Sequence, residues 1–153
     1  MLKHAILALS LMSSAAMADI VYKGTGVFIA SNGIAGNWEQ KVTVTNIANG
    51  FHINKDQSFS AAGTQRLDYT FGYDLIGSQV NSWDIAMSGR SLGSASCLRD
   101  ACFYKANESV AGFDLDASIT AIGETYHKIG TLLANWNGEE VTVRYDGSYK
   151  LQQ

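Results

Sequence analysis

Across residues 66–87 apolar and polar side chains alternate almost one by one. Leu67, Tyr69, Phe71, Tyr73 and Leu75 are separated by Asp68, Thr70, Gly72 and Asp74; after a break at Gly77, Ser78 and Gln79, Trp83, Ile85 and Met87 alternate with Asp84 and Ala86. A period of two sends alternate side chains to opposite faces of a strand. The stretch therefore predicts a long antiparallel hairpin with one aromatic face and one wetted face.

The same pattern recurs along most of the chain. Tyr22, Gly24, Gly26, Phe28 and Ala30 share a face, as do Trp38, Gln40, Val42 and Val44, opposed by Glu39, Lys41, Thr43 and Thr45. Asn49-Gly50 is a strong hairpin signal, followed by a weaker strand carrying Phe51, Ile53 and Phe59. Residues 88–93 read as a glycine and serine linker. Ala111, Phe113, Leu115, Ala117 and Ile119 alternate with polar residues, residues 125–136 have no clear phase, and Asn137-Gly138 marks another hairpin turn. Val141, Val143, Tyr145, Tyr149 and Leu151 then form the cleanest strand. Eight to ten short strands without a convincing helix predict an all-β, antiparallel up-and-down barrel, with a sandwich as the alternative. Closing the meander removes its two unpaired edges, which favours the barrel.

Residues 1–18 change the picture of the N-terminus. Lys3, an apolar run over 5–12 and Ala16-Met17-Ala18 before Asp19 have the order of a secretory signal peptide, too short in its apolar part to span a bilayer. Residues 19–153 are then expected to form one exported domain, periplasmic or secreted, large enough to own a core. The formal charge of −3 with both signs interspersed argues against nucleic acid or an anionic membrane as partner. Fifteen glycines and no proline suit turns built on Gly, Asn and Asp. Cys97 and Cys102, with four residues between them, are expected to face each other across a hairpin with a four-residue loop and to form a disulfide after export. So short a loop constrains the unfolded chain by only about 2 kcal/mol, so the bridge pins a turn.

An eight-strand-sized barrel has an interior just wide enough for side chains or one small ligand. The face expected to point inward is rich in large amphipathic groups: Trp38, Gln40, Tyr69, Tyr73, Trp83 and Tyr145. Buried tyrosines and glutamines need hydrogen-bond partners, which backbone, trapped water or the polar end of a mostly apolar ligand would supply. Gly36-Asn37-Trp38 at the start of a strand resembles the G-x-W signature of the lipocalins and related calycin barrels, and Arg144 sits where that family has a late-strand arginine. The resemblance implies a tryptophan closing the barrel base with the arginine packed near it, and a small hydrophobic ligand in the cup.

Other chemistries find less support in the sequence. Asp114 and Asp116 would share a solvent face but lack the oxygen-rich glycine loop of a Ca²⁺ site, so no metal is expected. His52 and His127 read as structural rather than haem ligands, no Ser-His-Asp set stands out, and neither a cofactor nor catalysis is expected. The leading reading is a non-catalytic exported barrel that binds a small hydrophobic or amphipathic molecule through Trp38, Gln40, Tyr69, Phe71, Tyr73, Trp83 and Tyr145. The second is a filled barrel whose surface binds a protein partner, as a secreted or periplasmic inhibitor would. A small outer-membrane barrel is the third; without a terminal aromatic or long loops the chain resembles no such barrel, and no stable membrane insertion is expected.

Overall fold

The computed structural model describes residues 18–152; the leader expected over residues 1–18 lies outside the described residues except for Ala18. Ten strands follow one another: β1 (Ile20–Ala30), β2 (Ala35–Ile47), β3 (Gly50–Ser60), β4 (Leu67–Gln79), β5 (Ser82–Met87), β6 (Arg90–Leu98), β7 (Ala101–Ala106), β8 (Asp114–Ile122), β9 (Thr125–Trp136) and β10 (Glu139–Leu151). Each pairs antiparallel with its neighbours in the chain, and β10 returns to β1 to close an up-and-down barrel. That closing seam runs from Tyr22 opposite Leu151 to Ala30 opposite Val143. The expected barrel, rather than the alternative sandwich, is therefore the observed architecture.

Three elements differ from expectation. Residues 88–93 are not a linker: Ser88 and Gly89, both at positive φ, make a tight turn, and β6 begins at Arg90. Gly93 pairs with Ile85 and Ser91 with Ala86, so Leu92 is the extra residue of a bulge, and its side chain is fully buried. β3 is a full strand whose alternation continues inward through Lys55 and Gln57, polar residues that weaken its apolar signature. Finally, Leu98 pairs with Ala101, which shortens the expected four-residue cysteine loop to a two-residue turn with Arg99 at positive φ. Cys97 and Cys102 face each other across it and are disulfide-bonded.

The two ends of the barrel are built differently. At one end the connections β2–β3, β4–β5, β6–β7 and β8–β9 are two-residue turns at 48–49, 80–81, 99–100 and 123–124. Turns that short cannot reach across the opening. At the other end, residues 107–113 fold inward, with Phe113 buried and Val110 packed on the core. Gly112 ties this loop down: its N–H donates to the Leu133 carbonyl, and its own carbonyl accepts from Gln57 Nε2. Beneath it Phe28 stacks on Trp136 at 5.4 Å and meets Phe59 edge-on at 5.3 Å. One end is plugged by aromatic packing, and among the described residues the other is left open.

Trp38, buried on β2, lies between these zones, with its indole Nε1 donating to the Asp146 carbonyl at 3.2 Å. Its ring lies over Gly26 and Gly147, which oppose each other on β1 and β10. A Cβ at Gly147 would lie 2.6 Å from the indole and 2.2 Å from the Thr25 carbonyl oxygen, so only glycine leaves room. Arg144, by contrast, points outward, on the face opposite Trp38, so the arginine–tryptophan packing implied by the lipocalin resemblance is absent. Gly147→Ala is expected to lower stability by about 1–3 kcal/mol through overpacking, whereas Ser148→Ala on the outer face changes it by less than about 0.5 kcal/mol. Urea denaturation of both variants checks this, and equal midpoints would contradict the slot.

Candidate functional site: a charged cluster at the floor of an open-ended cavity

Three ionisable side chains meet inside the barrel. Asp114, at the start of β8, is 7 % exposed; Lys128 from β9 and Lys55 from β3 are 1 % and 7 % exposed. Lys128 Nζ donates to Asp114 Oδ2 at 2.9 Å, while Lys55 Nζ stands 3.5 Å from the same oxygen. The other carboxylate oxygen accepts a short hydrogen bond from the Tyr145 hydroxyl. Lys128 lies over the rings of Tyr145 and Tyr149, 5.3 and 5.8 Å from their centroids, and Lys55 over Tyr73 at 5.4 Å. Tyr149 donates to Gln40 Oε1, and Gln40 Nε2 donates to Gln57 Oε1 at 2.7 Å, so the polar layer continues to the tied-down loop.

A bulge puts Asp114 there. Asp114 pairs with Leu132 and Asp116 with the adjacent Thr131, so the β8 segment has one residue more than its partner. The two carboxylates expected on one solvent face are thereby separated: Asp114 is buried and Asp116 is exposed. Among the described residues no three His, Cys, Asp or Glu side chains gather as a metal site would need. His52 and His127 lie outside the barrel, paired with Asp74 at 2.7 Å and Asp146 at 3.1 Å.

The charge balance of the cluster is uneven, because two amines share one carboxylate. Burial opposes the Lys128 charge, but Asp114, followed by the electron-rich oxygens of Tyr145 and Tyr149, holds its pKa well above the ordinary value. Burial would likewise raise the Asp114 carboxyl, yet Lys128 and then Lys55 more than offset it and keep it below the usual range. Lys55 is the partner left over. Burial first, and then the neighbouring Lys128 charge, push its pKa down to about 7, with Asp114 only partly opposing. The surrounding phenols remain donors at neutral pH: burial pushes Tyr104 and Tyr149 up to about 12.

Above this floor is a cavity of about 70 Å³ at the open end. Val42, Val44, Ile53 and Ile119 supply apolar walls, Tyr22, Tyr73, Tyr104 and Tyr126 supply rings, and Gln40, Lys55, Lys128 and Tyr149 supply polar atoms. Of the residues singled out from the sequence, Gln40 and Tyr73 line this cavity. Trp38 and Tyr145 pack against each other below it, with ring centroids 5.1 Å apart. Phe71 packs on Tyr73 and Phe113, Trp83 belongs to the buried core, and the Tyr69 hydroxyl accepts from the Asn135 N–H near the plugged end. Lys55, Lys128 and Asp114 were not anticipated as site residues. The signal for Lys55 is its phase: it occupies an inward position between Ile53 and Gln57, and every second residue from Phe51 to Phe59 is buried.

No family model matches the chain, and no curated protein matches it. Among solved structures, an S-type phycobiliprotein lyase from Guillardia theta superposes with a TM-score of 0.49 at 7 % identity, covering 87 % of each chain. A protein provisionally named ATTH from Nitrosomonas europaea gives 0.39 at 9 % identity, covering 92 % of this chain and 56 % of the other. At identities this low, neither likeness assigns a role to any side chain of the cavity. The site itself defines a class: a closed ten-strand barrel with an end-opening cavity floored by a buried ion cluster.

The cluster predicts a distinctive pH dependence of stability. A lysine whose folded pKa is lowered is easier to protonate in the unfolded chain, so stability rises with pH between the folded value of about 7 and the unfolded value near 10.4. Lys128, with a raised pKa, contributes stability that is constant below about 10.4 and lost only above it. Denaturant melts from pH 6 to 9.5 are therefore expected to show rising stability in the native chain and a flatter profile in Lys55→Met. Asp114→Asn, which strands Lys128, is expected to cost about 3–5 kcal/mol at pH 7. A pH-independent native profile would contradict the assignment of Lys55.

Proposed function

We infer that the barrel is an exported carrier or sensor of a small amphipathic molecule, held with its apolar body toward Val42, Val44, Ile53 and Ile119 and its hydrogen-bond-accepting or anionic end on Lys55, Lys128 and Gln40. The observation that carries this reading is the unequal composition of the cavity: apolar and aromatic walls above, a surplus amine below, and an open end above both. A protonated Lys55 is an incompletely compensated charge, and an acceptor from a ligand relieves it.

Export rests on the order of residues in the leader and on the Cys97–Cys102 bridge, which suits an oxidising compartment. Among the described residues no helix is long and apolar enough to cross a membrane. Against the lipid-embedded alternative stand the outer faces of β2, β3 and β4, where Glu39, Lys41, Asp56 and Asp68 are exposed in place of an apolar band.

Hexanoate and hexanol form a matched pair of probes. At pH 6, where Lys55 is charged, hexanoate is expected to bind at least about tenfold tighter, consistent with the worth of a charge-assisted hydrogen bond. Titration of ¹³C-methyl-labelled protein should shift Val42, Val44, Ile53 and Ile119, and Lys55→Met should remove the preference. Shifts confined to residues outside the cavity, or no shifts with either probe, would overturn the reading.

A further inference from the structure

We propose that Lys55 is a nucleophilic amine that captures small aldehydes entering the cavity as a reversible imine. This rests on the cavity being a ligand site and specifies a covalent chemistry for it. The geometry sets Lys55 apart from the other lysines among the described residues. Both Lys55 and Lys128 line the cavity, but Lys128 is held by Asp114 at 2.9 Å. Lys55 stands farther from that carboxylate, at 3.5 Å, and shares it with a permanent cation. An amine desolvated in an apolar pocket beside another cation sheds its proton readily and becomes a nucleophile at neutral pH.

The groups gathered around Lys55 suit the reaction. Asp114 comes from β8, Lys128 from β9, Tyr73 from β4, Tyr104 from β7, Tyr149 from β10 and Gln40 from β2; His52 and His127 lie outside. The Lys55 nitrogen bonds to the carbonyl carbon as the carbonyl π pair moves to oxygen. A proton passes from nitrogen to that oxygen, giving a carbinolamine. Its hydroxyl leaves as water when the nitrogen lone pair forms the C=N bond, with one further proton lost from nitrogen and one gained by the departing oxygen. The net change is one amine and one aldehyde to one imine and one water, with no oxidant or reductant. Protonation of the imine from solvent restores a cation beside Asp114, which then serves as its counter-ion. A cavity of about 70 Å³ admits a short aliphatic chain, and longer ones extend through the open end.

Butanal with sodium cyanoborohydride, which reduces the protonated imine to a stable alkylamine, tests this on the full-length protein by peptide mapping. At pH 7 Lys55 is expected to be alkylated at least about tenfold faster than Lys23, Lys41, Lys105 or Lys150, because a pKa pushed down to about 7 leaves much of it as the neutral amine. Its rate should rise with pH through a midpoint near 7 and then level off. Lys128→Gln, by leaving Asp114 to Lys55, is expected to slow the Lys55 adduct by about tenfold or more at pH 7. The mapping on the native chain stands whether or not this variant folds. Adducts spread over the surface lysines with Lys55 spared, or a Lys55 profile identical to theirs, would overturn the imine. If hexanoate still shifts the cavity methyls, only the covalent chemistry falls; if hexanoate is also silent, the ligand site falls with it.

Discussion

The interior of this barrel depends on one carboxylate. Asp114 accepts from Tyr145, Lys128 and, at longer range, Lys55, and it is the counter-charge that lets two ammonium groups be buried in a small domain. Taking an unpaired ion out of water costs several kcal/mol, so the cluster persists only because its members satisfy one another and the phenols complete them. Such clusters add little to stability compared with an apolar core of equal volume. Their presence points to a use for the charge, and the amine left with the weaker share of Asp114 belongs to one of the two lysines that line the cavity.

The scaffold makes that imbalance accessible from one side only. Aromatic packing of Phe28, Phe59 and Trp136, together with the tied-down loop over 107–113, fills the far end. Large rings fit inside because glycines stand opposite them: Trp38 lies over Gly26 and Gly147, Tyr149 over Gly24 and Tyr145 over Gly130. These pairs spend the volume of two residues on one ring and bring phenol hydroxyls to the height of the lysines. Two-residue turns at the near end keep loops off the opening. The shape of the cavity and the chemistry of its floor thus come from the same strands.

Much of the barrel was legible from alternation alone. The faces of β1, β2, β4 and β10 follow the period of two residue by residue, and Asn137-Gly138 adopts the positive φ values that a tight hairpin turn requires. The floor of the site was not legible in the same way. Period-two reading assigns charged residues to water, so Lys55 and Lys128 were passed over although each sits in phase with buried neighbours, Ile53 and Gln57 in one case and Leu132 and Trp136 in the other. Asp114 reaches the interior through a bulge, and a bulge shifts phase by one residue without a sequence signature strong enough to announce it. The same physics hid Leu92 within a stretch of glycine and serine. Disagreement between pattern and structure falls mostly on the polar floor, where local rules yield to a requirement set by the whole barrel.

The most direct test is an NMR titration of protein labelled with ¹³C at the lysine ε carbon, followed from pH 5 to 11. Two behaviours are expected: one resonance with its midpoint near 7, assigned to Lys55 by its loss in Lys55→Met, and one, from Lys128, that does not titrate before the protein unfolds in alkali. A single common midpoint near 10.4 for every lysine would mean that no buried cluster exists, and the site built on it would be lost.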